Sequence, residues 1–170
     1  MNFEAYIRDI PDFPKPGILF KDITPLLHDP TALAASIKKL AELVAPFDCD
    51  LVAGIESRGF IFGTALAIEI DKGFVPIRKP GKLPYKTRSI DYELEYGSDR
   101  IEMHEDAVAD GQRVLLVDDL LATGGTMGAA VRLVEGAGGV VAACACVIEL
   151  SFLDGRKALG DREFCTILRY

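Results

Sequence analysis

The sequence is short of positive charge. Nineteen Lys and Arg stand against 26 Asp and Glu, a net charge of −7 at neutral pH. That balance disfavours a protein built to coat duplex DNA or an anionic membrane, so no nucleic acid or membrane partner is expected. No apolar run approaches the ~18–20 residues that a membrane span needs. The opening turns carry Glu4, Arg8 and Asp9 where a secretory signal needs an apolar core, so a cytoplasmic protein is expected. Cysteine is sparse: Cys49, Cys144, Cys146 and Cys165 lack the spacing of a zinc knuckle. Cys144 and Cys146, two apart in a β-like run, fall on one face. All four read as buried reduced thiols rather than metal ligands or disulfide partners. Internal repeats and low-complexity tracts are also missing.

What is present is an ordinary globular composition, with 49% hydrophobic and 26% charged residues, which argues against disorder. The 170 residues suit a single domain spanning 1–170, able to bury about 70% of its unfolded surface. Asn2 to Ile10 predicts a short amphipathic helix ended by Pro11. "PDFPKPGILFKD" follows as an irregular arm, rich in proline and ending on an apolar triplet. Asp29 and Pro30 open a strong helix as N-cap and first residue. Leu33, Ile37, Leu40, Ala41 and Val44 recur on one face of it, and Pro46 stops it.

Beyond that point strands and helices alternate. "CDLVAGI" is a buried strand, "GFIFGTALAIEI" an apolar helix closed by Lys72-Gly73, and "FVPI" a strand. Arg113 to Val117 is a strand, Thr126 to Glu135 a helix ended by "GAGG", and "VVAACACVI" and "EFCTIL" are further strands. Near-continuous apolar strands separated by helices predict an α/β fold with a mainly parallel sheet covered on both faces. One segment breaks the rhythm. Ile90, Tyr92, Leu94 and Tyr96 alternate with Asp91, Glu93 and Glu95, and Ile101 and Met103 alternate again after Gly97-Ser98. That pattern predicts an inserted antiparallel ribbon.

The stretch "VLLVDDLLATGGTMGAA" carries the clearest chemistry. In open α/β sheets, ligands bind outside the carboxyl ends of the strands. Asp118 and Asp119 sit at such an end, and two acceptor-only carboxylates there suit a vicinal diol. Behind them, Thr123, Gly124, Gly125 and Thr126 turn into a helix. Open backbone N–H groups, two hydroxyls and the helix dipole favour a phosphate. Either feature alone is common on solvent-facing turns; together, after a buried strand, they describe a ribose 5-phosphate site. No Lys follows the glycines and no G-x-G-x-x-G opens a helix, which rules out a Walker A loop and a dinucleotide fingerprint.

Two further stretches point to anions. In "GIESRGF", Arg58 lies between a buried strand and a helix N-terminus, a second oxyanion site. "RKPGKLPYKTR", Arg78 to Arg88, holds basic residues and no acid in an otherwise acidic chain. Its prolines and glycine exclude regular structure, and a basic irregular loop leading into a ribbon suits a lid. A phosphate cradle, diol acids, a second anion site and a basic lid add up to a phosphorylated ribose bearing another anionic group. Phosphoribosyl pyrophosphate has that shape.

Five stretches in order, "FPKPGILFKDITPLL", "GIESRGF", "RKPGKLP", "LEYG" and "VLLVDDLLATGGTM", carry a family resemblance that spans nearly the whole chain. The chain resembles the type I phosphoribosyltransferases, and among them the branch that acts on adenine. The resemblance implies a central, mainly parallel twisted sheet flanked by helices. It adds a small N-terminal hood over residues 1–28, and a lid loop and ribbon over 78–104. It also implies a purine-salvage reaction: adenine and phosphoribosyl pyrophosphate give AMP and pyrophosphate, with inversion at the anomeric carbon and an oxocarbenium-like transition state.

By the same resemblance, Ala122, Thr123, Gly124, Gly125 and Thr126 hold the 5-phosphate, and Asp118 and Asp119 the ribose hydroxyls. Glu56, Ser57 and Arg58 form the pyrophosphate loop, where the family often has a cis peptide. Arg78, Lys79 and Lys82 add charge from the lid, and Arg78 reaches a neighbouring subunit's site, since these enzymes are usually homodimers. Leu19 and Lys21 offer backbone hydrogen bonds to adenine and Phe20 packs on its face. Arg58 stabilises the leaving group and Glu95, beside Tyr96 of the lid, manages a proton on the base. Mg²⁺ is the implied cofactor, held mainly through substrate oxygens rather than by direct protein ligands. The rival class is a regulatory relative that senses the ligand without turning it over. Within the enzyme class, the rivals are hypoxanthine–guanine and xanthine enzymes.

Overall fold

The computed structural model describes residues 1–94 and 97–170. Its first elements depart from the predicted helix over residues 2–10. A 3-10 turn occupies Phe3–Tyr6, and the chain then extends as β1 (Arg8–Pro11). The reason is long-range. β1 pairs antiparallel with β2 (Leu19–Asp22), and Arg8 and Lys21 make cross-strand ion pairs with Asp22 and Asp9 at 2.6 Å each. Those pairings outweigh the weak helical period of a short segment. The resulting two-stranded hood stands apart from the main sheet.

α1 (Thr24–His28) is a single unpredicted turn. α2 (Pro30–Val44) starts as expected, with the Asp29 carboxylate accepting from the N–H groups of Thr31 and Ala32 at 2.9 and 2.8 Å. Such a cap contributes about 1 kcal/mol. β3 (Leu51–Ile55) is buried throughout, α3 (Gly59–Glu69) follows, and β4 (Gly73–Ile77) closes the first strand–helix–strand unit. β5 (Thr87–Leu94) and β6 (Gly97–His104) make the expected ribbon, with Ile90 opposite Ile101. β7 (Arg113–Val117) leads to a two-residue β8 (Leu120–Leu121), then α4 (Gly125–Gly136), β9 (Val140–Glu149) and β10 (Phe164–Arg169).

The main sheet runs β10-β9-β7-β3-β4, all parallel, with β8 added beside β9. Alternate residues feed two cores. Leu51, Ala53, Ile55, Val114, Leu116, Cys144 and Cys146 face α4 and the ribbon residues Tyr92, Ile101 and Met103. Val52, Leu115, Val117, Ala143, Ala145 and Val147 face α2 and α3. Cys49, Cys144 and Cys146 are buried, the last two on one face, whereas Cys165, on the edge strand β10, is only half-buried.

The position of the site follows from the strand order. β3 has β4 on one side and β7 on the other. The chain leaves β3 through α3 toward β4, then returns by way of the ribbon to the opposite side. Connections from the carboxyl ends of β3 and β7 therefore diverge and leave a crevice between them.

Candidate active site

Register brings the two acidic and basic loops together. Gly54 of β3 lies opposite Val117 of β7, so Glu56-Ser57-Arg58 and Asp118-Asp119 leave adjacent strands at the same level. The Arg58 Nε lies 2.8 Å from Asp119 Oδ2. Asp119 is buried and Asp118 partly so, and the Asp118 carboxylate accepts the Asp119 backbone N–H at 2.8 Å. Burial pushes both carboxyls up; the neighbouring Asp119 charge adds to the effect on Asp118, while the Arg58 guanidinium offsets part of it at Asp119. Two carboxylates in this setting are strong acceptors for hydroxyl donors.

α3 approaches this pair very closely. A Cβ added to Gly59 would lie 2.8 Å from the Val117 carbonyl oxygen and 2.9 Å from Asp118 Oδ1. The glycine after Arg58 is therefore what lets the helix start against the acids.

The glycine turn forms the second wall. Gly124 caps α4 with φ of +83°, a conformation that favours glycine. A cavity of about 210 Å³ is lined by Arg58, Asp118, Asp119 and the run Leu120 to Met127, which includes Ala122, Thr123, Gly124, Gly125 and Thr126. A second cavity of about 320 Å³ is lined by Glu56, Ser57, Arg58, Lys79, Asp118, Asp119 and Thr126. The two adjoin across the acids. One side offers a helix N-terminus, the other two cations.

Glu56 organises the cationic side. Its carboxylate accepts from Arg78 Nε at 3.1 Å, from the Lys79 backbone N–H at 3.0 Å, and from Lys82 Nζ. Burial would raise Glu56, but the Lys82 ammonium, the Lys79 amide and the Arg78 guanidinium outweigh it and hold the carboxyl at about 2. The Glu56–Ser57 peptide is cis, as the family resemblance implies.

Tyr92, one of the apolar positions of the ribbon, and Asp99 join this wall. Lys79 Nζ is paired with Asp99 and donates to the Tyr92 hydroxyl at 3.0 Å. Thr126 Oγ1 donates to the same Tyr92 hydroxyl at 3.3 Å. The signal available in sequence was slight: an inward-facing Tyr carries a polar tip that seeks a partner when buried.

From the hood, Phe20 approaches Arg58, its ring centroid 5.6 Å from the guanidinium carbon and 5.1 Å from the Phe13 ring. Leu19 and Lys21 flank it on β2, and the Lys21 ammonium turns toward Asp9 and the Tyr170 ring. Glu95 and Tyr96, expected at the tip of the ribbon, lie outside the described residues. Among the described residues no three His, Cys, Asp or Glu side chains converge as a metal site.

An open parallel sheet with paired acids between a phosphate-type cradle and a cationic loop defines a phosphoribosyl-handling domain. The phosphoribosyl transferase domain family matches residues 23–166, and the chain belongs to that family. Its relatives narrow the branch. An adenine phosphoribosyltransferase of Methylococcus capsulatus is 61% identical, over 99% of both chains. The crystal structure of adenine phosphoribosyltransferase from Thermoanaerobacter pseudethanolicus matches with a TM-score of 0.96 at 53% identity, covering 99% of this chain and 98% of that one. The adenine phosphoribosyltransferase of Saccharomyces cerevisiae, complexed with an imino-altritol bisphosphate and adenine, matches at a TM-score of 0.89 and 40% identity, covering 97% and 96%.

Proposed function

We propose that this chain transfers the 5-phosphoribosyl group from phosphoribosyl pyrophosphate to adenine, giving AMP and pyrophosphate in purine salvage. The observation that carries the proposal is the pair of adjoining cavities sharing Arg58, Asp118, Asp119 and Thr126. A ribose seated on the two acids has room for a phosphate on one side and a pyrophosphate on the other.

In this reading Ala122 to Thr126 hold the 5-phosphate through backbone N–H groups, the Thr123 and Thr126 hydroxyls and the N-terminal dipole of α4. Asp118 and Asp119 accept from the ribose hydroxyls and fix the ring. Glu56 and Ser57 shape the loop from which Arg58 meets the pyrophosphate, with Lys79 and Lys82 adding charge from the lid and Arg78 steadied by Glu56. As the bond from the anomeric carbon to the pyrophosphate oxygen breaks, these cations stabilise the departing anion, and exclusion of water strengthens them. The adenine nitrogen forms its bond to the same carbon from the opposite face and gives up its proton. Glu95, with Tyr96 beside it, is the proposed manager of a proton on the base.

Adenine is placed under the hood, with Phe20 on its face and the Leu19 and Lys21 backbones reading its edge. The position of Phe20 next to Arg58 supports this, and so does the adenine in the complexed yeast relative. The cofactor in this reading is Mg²⁺. The donor set fits it: Asp118 and Asp119 are hard oxygen donors at the wall between the cavities, and Arg58 already occupies one Asp119 oxygen. The ion would be held mainly through substrate oxygens. When bound, it neutralises pyrophosphate charge. The proposal also includes a cytoplasmic enzyme working as a homodimer; Ile61 and Ile68 of α3 remain exposed, an apolar face suited to a second copy.

The test is product formation from phosphoribosyl pyrophosphate and Mg²⁺ with adenine, hypoxanthine, guanine or xanthine in parallel. AMP from adenine alone is expected. IMP, GMP or XMP instead would refute the base assignment, and binding without turnover would refute the enzymatic one.

A further inference from the structure

Behind the phosphate-type cradle lies a short shelf, the 3-10 segment Gly155–Leu159. Cradle and shelf touch backbone to backbone. A Cβ on Gly124 would meet the Gly155 carbonyl oxygen at 2.2 Å, and one on Gly155 would meet the Ala122 carbonyl oxygen at 2.2 Å. A Cβ on Gly128, one turn into α4, would meet the Ala158 carbonyl oxygen at 2.9 Å. Any movement of the shelf therefore moves Ala122 to Gly124 and the first turn of α4.

The shelf is anchored by an ion pair. Arg156 binds Glu149 through two parallel hydrogen bonds, Nε to Oε1 at 2.6 Å and Nη2 to Oε2 at 2.7 Å. Glu149 is only 3% exposed, and the Arg156 guanidinium also lies 4.7 Å over the Phe164 ring. Glu149 occupies a node. Its backbone sits opposite Leu121, the residue that enters the cradle, and the Leu150 N–H donates to the Leu121 carbonyl at 2.9 Å. Its side chain grips the shelf beneath the other end of the same loop. Both ends of the cradle thus refer to one residue of β9.

We infer that Glu149 and Arg156 are positioning residues that set the height of the 5-phosphate cradle without touching substrate. This rests on the phosphoribosyl pyrophosphate site proposed above. A bidentate Arg–carboxylate pair is geometrically specific, so neither Lys for Arg nor Gln for Glu reproduces it. Small displacements of groups that hold a substrate weaken it out of proportion to their size.

The experiment measures KM for phosphoribosyl pyrophosphate, KM for adenine and kcat in Arg156→Met, Arg156→Lys and Glu149→Gln, with thermal melting alongside. Lys157→Met, which breaks only the exposed Lys157–Asp154 pair of the same shelf, is the control. A rise of about tenfold in KM for phosphoribosyl pyrophosphate, with adenine KM and kcat within twofold, is expected for the three pair variants and not for Lys157→Met. Smaller changes in Arg156→Lys than in Arg156→Met are expected as well. A fall in melting temperature with unchanged KM would overturn the inference and leave the pair as a structural strut. If Arg156→Met does not fold, the Arg156→Lys and Glu149→Gln values of KM decide the same question. Wild-type protein that neither binds nor consumes phosphoribosyl pyrophosphate would overturn the site assignment itself, and this inference with it.

Discussion

Replacing Glu56 with Gln should weaken the fold in a way that depends on pH. The carboxyl, half-buried beneath Lys82, Arg78 and the Lys79 amide, is held at about 2 against an ordinary 4.5. An unfolded Glu56 takes up its proton as the pH falls through 4.5, while the folded one stays charged until about 2. Across that window the unfolded state binds more protons, so the stabilisation is complete above pH 4.5 and is lost as the pH drops toward 2. The whole depression corresponds to ~3 kcal/mol. Lys82 and Arg78 remain 49% and 32% exposed, however, and water screens them, which leaves about 1–2 kcal/mol.

Urea denaturation of wild type and Glu56→Gln at pH 7 should show that gap. At pH ~3 more than half of it should have gone, because most of the proton difference has been collected by then. Comparing the two proteins at each pH cancels the titration of the other acids. A gap of the same size at both pH values would refute the reasoning, as would no gap at pH 7. The same variant should raise KM for phosphoribosyl pyrophosphate, since Arg78, Lys79 and Lys82 lose their common anchor.

Joint replacement of Asp118 and Asp119 by Asn should lower kcat/KM by about 10²-fold or more, through lost charge and hydrogen bonding at the ribose and release of Arg58. Steady-state kinetics showing intact efficiency would remove the diol assignment. Gly124→Ala places a side chain at φ +83° and 2.2 Å from the Gly155 carbonyl oxygen, so a loss of about 1–3 kcal/mol is expected. KM for phosphoribosyl pyrophosphate should rise with it. Wild-type melting and KM in that variant would show that the cradle and its shelf are not in fixed contact.

Local signals served best where one interaction dominates. The Asp29 cap and the proline after it placed the start of α2 to the residue, because a side chain accepting two early N–H groups is a short-range event. The ribbon was legible from the alternation around Ile90 and Ile101, and the buried strands from unbroken apolar runs. The first ten residues were misread because a partner strand beyond the arm, β2, supplied pairing energy that no local period reports. Tyr92 and Asp99 were passed over for a related reason. Their partners, Lys79 and Thr126, come from segments that only the packed ribbon brings near.

The sequence by itself determined the chemistry of each loop. An acid pair ending a buried strand, a glycine turn opening a helix and a run of bases without acids are local facts, legible because charge, hydroxyls and backbone freedom are properties of residue types. Tertiary structure alone decided that these loops form one site. Arg58 and Asp119 are far apart in the chain, and they meet because β3 and β7 are neighbours in parallel register with Gly54 opposite Val117. It also decided that Glu56 gathers three lid groups and that Glu149 anchors the shelf behind the cradle. Which strands pair is settled by burying two faces of one sheet at once, and that energy belongs to the whole chain rather than to any stretch of it.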